Sequence, residues 1–305
     1  MKPHRQVARF VLLLLLIPSV PLGCIASEAI EPAPILMDGA PPPRKIAEVQ
    51  AILGSALTAA LDRNAKPLRI VLCASEKDRD HNRPGIHDYP LWRERWSRLL
   101  SRAPSVTVET ATDWPNPEQW SRADVIAINS HNPVWSLESD PEKIAALGTQ
   151  MDDFLARGGG LVFIHWSVNG GPHAPDLATR LGLAWGKGSR YRHGAKDWIL
   201  DLGHPLAVGF KQWELPDESY WNMTGDLEHA KTRVLASSIE ESEPRPQMWT
   251  REVGHGRIFV SIPGHYSWTF DDPLYRILVF RGFMWVARQP LDRLAPLTII
   301  GARVE

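Results

Sequence analysis

The sequence predicts an α/β domain around a mostly parallel sheet, and two observations carry that reading. Three short runs, LRIVLCA (68–74), ADVIAINS (123–130) and LVFIH (161–165), are apolar almost throughout, as strands covered on both faces must be. Stretches with helical spacing and helix-end signals lie among them, which is the pattern of strand–helix–strand crossovers.

Taken in chain order, residues 1–26 read as a signal peptide. Lys2, Arg5 and Arg9 precede an apolar run from Phe10 to Ile17, and small residues follow, so cleavage after Ala26 is expected. That run is too short to span a bilayer as a stable helix. Leu22-Gly23-Cys24 resembles a lipoprotein box with Pro21 where leucine is usual, which leaves acylation of Cys24 open. The expectation is an exported protein, periplasmic or secreted, that meets a membrane only through this segment or a lipid anchor.

Residues 27–67 read as a Pro-rich linker followed by a helix over 44–64, because Ile46, Val49, Ile52, Leu53, Ala56 and Leu57 recur at helical spacing. The main domain is expected over 68–290. It opens with the 68–74 strand, a helix over 90–103 and a strand over 105–111. The 123–130 strand follows, then a helix over 140–160 with Asp140 as N-cap, Pro141 in its first turn and Gly158-Gly159-Gly160 to stop it. After the 161–165 strand the chain becomes more β-like. AKDWILDL (195–202) and RVLASSIE (233–240) read as strands. QMWTREV and RIFVSIP form a hairpin across Gly254-His255-Gly256, and a helix from Pro273 to Arg288 closes the domain. Residues 291–305 are left as a C-terminal tail. No internal repeat is present.

Composition excludes several functions. A net charge of −1 with 23% charged residues gives no general field for nucleic acid or anionic lipid. No GxGxxG follows the first strand, no GxxxxGK[ST] occurs, and GxSxG is absent, so neither a nucleotide site nor a serine-hydrolase elbow is predicted. Cys73, inside the first strand, is the one cysteine certain to remain after processing. Cysteine-based zinc and disulfide frameworks are therefore excluded. Tryptophan is abundant (13) while tyrosine is scarce (5), a skew that suits sugar-facing sites, although burial is the commoner role for an indole.

In an open α/β sheet the ligand crevice lies beyond the carboxyl ends of the strands. Histidines fall at those ends: His81 and His87 after the first strand, His131 after the third, His165 at the end of LVFIH and His265 after RIFVSIP. His87, His165 and His265 form the candidate core. They could hold one divalent ion, zinc or manganese, as neutral imidazoles. Alternatively they hydrogen-bond sugar hydroxyls, or one of them acts as a general base. His165, Glu218 and His265 are the catalytic candidates, with Glu218 as acid/base or fourth ligand. Trp166, Trp221, Tyr266 and Trp268 are expected to wall a sugar pocket. GSRYRHG (188–194) would be a basic loop bringing Arg192 and His193 over a polar ligand. Asp88 either orients an imidazole or starts the next helix. Asp272 caps the last helix, and Ser167 is a weaker nucleophile candidate.

GIHDYPLW, ARGGGLVFIHWSVNGG, RHG, DESYW and PQMWTREVGHGRIFVSIPGHYSWTFDDPLYRILVFRGFMWVA together resemble the ThuA-like (trehalose utilisation) family, over about residues 68–290. The resemblance implies a flavodoxin-like, three-layer α/β/α fold of the class I glutamine amidotransferase type. It also implies a link to sugar catabolism: an oxidised (3-keto) disaccharide or glycoside as the small carbohydrate substrate, supplied by a partner sugar oxidoreductase. Those amidotransferases place a nucleophilic cysteine in the turn where this chain has His165-Trp166-Ser167, so thiol glutaminase chemistry is excluded. The expected activity is hydrolysis or elimination at a keto-glycoside. The alternative is a non-catalytic sugar-binding or accessory module of the same fold.

Overall fold

The computed structural model describes residues 39–76, 83–228 and 231–305. The expected signal peptide, Cys24, most of the Pro-rich linker and His81 lie outside the described residues.

Among the described residues eleven strands form: β1 (Leu68–Ala74), β2 (Val106–Thr112), β3 (Val125–Asn129), β4 (Gly160–Ile164), β5 (Leu183–Ala184), β6 (Arg190–Leu200), β7 (Trp213–Trp221), β8 (Thr224–Gly225), β9 (Thr232–Glu240), β10 (Glu243–Val253) and β11 (Gly256–Ser261). Nine of them join one sheet in the order β2-β1-β3-β4-β11-β10-β9-β6-β7, and β5 pairs separately with β8. The strands from β2 to β11 in that order run parallel. The remaining pairings are antiparallel, which turns β10 and β6 around and returns β9 and β7 to the common direction. Hence β1, β3, β4, β11 and β7 all end at one edge.

The helices are α1 (Ile46–Leu53), α2 (Tyr89–Leu100), α3 (Pro117–Arg122), α4 (Pro133–Ser136), α5 (Pro141–Ala156), α6 (Ala174–Leu181), α7 (Ser267–Asp271) and α8 (Pro273–Val286). Strand alternation divides the core into two layers. Ile70, Leu72, Val162 and Ile164 face a cluster with α1, α2 and α8, while Val71, Cys73, Leu161 and Phe163 face one with α3, α5 and α6. Both faces are covered, and that is why these strands are uniformly apolar. The result is an α/β/α sandwich.

Helix ends follow the sequence signals. Asp140 accepts from the Glu142 N–H at 2.9 Å, and Asp272 accepts from the Tyr275 N–H at 2.9 Å. α8 is apolar on nearly every side because neighbours cover it, and its two arginines are buried. Arg276 donates to the carbonyls of Thr298, Ile300 and Gly301, and Arg281 to those of Leu206 and Val208. Arg276 thereby ties residues 298–301 to the main core, where Leu294 and Leu297 are also buried.

Two expectations are corrected. The helix over 44–64 stops at Leu53, where Gly54 takes φ +53, and only a 3-10 turn continues to Thr58. The 188–194 segment is no free loop: from Arg190 onward it is strand β6, paired with β7. Residues 190–194 are all exposed, so no alternation of apolar side chains announced the strand.

Candidate metal centre

His165 is the first residue past β4 and takes φ +55, an uncommon conformation for a non-glycine residue. Its Nδ1–H donates to the Ile262 carbonyl at 2.8 Å, which fixes the tautomer and leaves the lone pair on Nε2. His87 (φ +44) and His265 come from two loops that are zipped together. The His87 N–H donates to the His265 carbonyl at 3.1 Å, and the Ser267 N–H to the Gly85 carbonyl at 2.8 Å. Gly264 makes this possible: at φ +150, a Cβ there would sit 2.9 Å from an Ile164 methyl and 3.0 Å from His165 Cβ. Glu218 arrives from β7.

These four buried side chains meet. His165 Nε2 lies 2.9 Å from His87 Nε2, 3.2 Å from His265 Nδ1 and 3.6 Å from Glu218 Oε2, and His265 Nδ1 lies 3.4 Å from the same carboxylate oxygen. One ligand atom from each falls within 4.8 Å of all the others. A tetrahedral ion with bonds of about 2.0–2.1 Å separates its donors by about 3.3–3.4 Å, so the spacing fits a zinc-type ion. The Tyr220 hydroxyl is also 3.1 Å from His165 Nε2. A single lone pair on Nε2 thus faces two ring nitrogens and a phenol at 2.9–3.2 Å, yet it can accept only one hydrogen bond well. A cation would take lone pairs from several of these crowded atoms together.

Burial governs the acids. It pushes Glu218 up to about 8, partly offset by a hydrogen bond from Tyr220, and Asp217 up to about 6 against several hydrogen bonds that lower it. Burial first, then the Glu218 charge, drives the Tyr220 phenol well above its ordinary range. A bound cation would invert this logic and hold Glu218 ionised.

The remaining sequence candidates divide. His193 joins the cluster: half exposed, it places Nδ1 2.9 Å from Glu218 Oε1. The Trp166 ring lies 5.2 Å from His87, and Tyr266 stands edge-on 4.4 Å from His265. Trp268 is buried behind Tyr266, stacked on it at 4.0 Å, and donates to the Pro216 carbonyl at 3.0 Å. It backs the wall and does not face into the site. Trp221 ends β7, partly exposed. Arg192 is not brought to the cluster. One residue from His193 on β6, it is directed elsewhere and forms a bidentate pair with Glu240 at 2.8 and 2.9 Å. His131 lies apart, 6.2 Å from the Tyr89 ring; Ser167 is buried; and Asp88 precedes α2 without a side-chain capping bond.

Tyr220 was missed, although it shares a strand face with Glu218 two residues earlier, once β7 is known to be a strand. Trp185 and the exposed Tyr191 were missed as well. Trp185 packs 4.7 Å from Tyr220, and Tyr191 packs 5.2 Å from His193, forming an aromatic rim.

The family model described as trehalose utilisation, ThuA, matches residues 93–286, a span that includes His165, Glu218 and His265 and begins six residues after His87. A ThuA-like protein from Bacteroides uniformis is similar in structure, with a TM-score of 0.56 at 14% identity over 75% of this chain and 94% of that one. One from Parabacteroides merdae gives 0.51 at 17% identity over 73% and 90%. At such identities the likeness establishes the fold. No curated protein matches the chain.

Proposed function

The chain belongs to the trehalose-utilisation (ThuA) family, and from that premise we propose that it is a metal-dependent enzyme acting on an oxidised (3-keto) disaccharide or glycoside, by hydrolysis or elimination. The observation that carries the reading is the convergence of His87, His165, His265 and Glu218 on one point at the carboxyl edge of the sheet. These residues would hold a divalent ion such as zinc or manganese. When bound, the ion supplies Lewis-acid polarisation of a carbonyl or a water of lowered pKa.

The chain's own groups do the rest. Ile262 keeps His165 in one tautomer. His193 braces the outer oxygen of Glu218 and, being half exposed, connects it with solvent. Tyr220 offers a buried phenolic proton beside the same point. Trp166, Tyr266, Trp185 and Tyr191 supply ring faces for a sugar. The reading also includes export through the N-terminal segment and a sugar oxidoreductase that supplies the keto group.

The test is elemental analysis of the purified protein beside a His87→Ala/His265→Ala double variant, followed by turnover of 3-keto-glycosides. About one equivalent of transition metal in wild type alone, with turnover lost in the variant, is the expected result. Turnover that survives the double substitution would sink the proposal. Glu218→Gln separates an enzyme from a sugar-binding module: retained sugar affinity with lost turnover is expected, whereas a wild type that binds the sugar and never turns it over supports the module.

A further inference from the structure

We propose that Asp217 is the positioning residue that locks Glu218 and His265 into one ligand set; the inference rests on the metal-centre reading above. Its side chain is fully buried. Oδ1 accepts three backbone N–H groups, from Glu218 at 2.6 Å and from Gly264 and His265 at 3.1 Å each. Oδ2 accepts from the Thr269 hydroxyl of α7. The backbone nitrogens of two ligand residues, 47 positions apart in sequence, therefore share one oxygen atom.

The tie is needed because the sheet does not provide it. β7 and β11 are separated by β10, β9 and β6 in the strand order, so no ladder sets the distance from Glu218 to His265. β6 joins β9 through only two residue pairs, Ile199–Ser237 and Leu200–Ala236, and this leaves the β6–β7 hairpin's position to side-chain contacts. The Trp268 indole donating to the Pro216 carbonyl, and Gln247 bonding both the N–H and the carbonyl of Tyr220, hold neighbouring points of β7. Asp217 reaches the backbone of the ligand-bearing loop itself. Because neighbouring strand residues face opposite sides, Glu218 can turn to the histidines while Asp217 turns to the loop.

The test is a cobalt(II) titration of the full chain, reading affinity by chelator competition and ligand geometry by visible absorption. Outer partners of metal ligands are typically worth roughly 10–100-fold in affinity, and a loss of that size with an altered spectrum is expected for Asp217→Ala. Asp217→Asn keeps an acceptor oxygen toward the amides and should recover much of both. His204→Ala, a buried residue outside the cluster that bonds Thr250, controls for destabilisation: it should lower the melting temperature while leaving affinity and spectrum unchanged. A folded Asp217→Ala protein with wild-type affinity and spectrum overturns the proposal. If that variant does not fold, Thr269→Val carries the test, with a several-fold loss expected and unchanged binding refuting it. Wild type that takes up no cobalt, zinc or manganese overturns the metal centre itself. Wild type that binds while Asp217→Ala binds equally well overturns only the role of Asp217.

Discussion

A divalent cation supplied at a hundred times its dissociation constant is expected to raise the melting temperature of the wild-type protein by about 5 °C. A ligand that binds only the folded state at that excess stabilises it by about 2.7 kcal/mol. The four donors come from β7 and from the loops after β1, β4 and β11, so the unfolded chain has no comparable site. Unfolding entropy near 60 °C is about 2.1 cal/mol/K per residue, which for the about 260 described residues is about 0.55 kcal/mol/K. Dividing the two gives the expected shift. The perturbation is His165→Ala, which removes a nitrogen lying 2.9–3.6 Å from each of the other three donors. The assay is calorimetry or thermal-shift fluorescence with zinc, manganese and cobalt on chelator-treated protein. The variant should show no shift at the same metal concentration. A wild-type melting temperature that no metal moves, or a shift of equal size in the variant, refutes the reasoning.

Three further outcomes test the fold. His204 is buried, with Nε2 3.0 Å from the Thr250 hydroxyl, and burial lowers it to about 4. A depressed histidine contributes stability above its unfolded value near 6.5 and loses it as pH falls through about 4; urea titrations should lose up to about 3 kcal/mol over that window, and a His204→Gln variant should lack this share. Gly282→Ala should destabilise by about 1–3 kcal/mol although alanine is the better helix former by about 1 kcal/mol, because the new methyl would stand 2.4 Å from the Phe259 ring; an unchanged unfolding midpoint would refute the close approach of α8 to β11. Asp272 both caps α8 and pairs with Arg44 at 2.6 Å. Asp272→Ala should therefore cost more than the roughly 1 kcal/mol typical of a lost cap, and Asp272→Asn, which keeps the capping oxygen, should cost less than the alanine change.

Much of the architecture could be read directly from residue order. β1, β3 and β4 are apolar because they are covered twice, and that property is local enough to see in five to seven residues. Asp140, Asp272 and the glycines after α5 mark helix ends by chemistry confined to one turn. His87, His165 and His265 could be selected because strand ends are legible and the crevice rule then gives them a common edge. Glu218 could be named, but what it touches could not.

Only the tertiary structure decided the fourth side of the site. The β6–β7 hairpin carries exposed polar residues over 190–194 and so leaves no periodic signal, and it is placed by long-range contacts through Asp217, Trp268 and Gln247. That placement sends His193 to Glu218 and its neighbour Arg192 to Glu240, a division that residue type alone cannot make. It also brings Tyr220, Trp185 and Tyr191 to the rim. The sequence by itself determined the sheet, its covered strands and the histidines at their ends, because burial and capping act over a few residues. The candidate ligand set was decided by distances between segments up to 178 residues apart, from His87 to His265, and such distances exist only once the chain has packed.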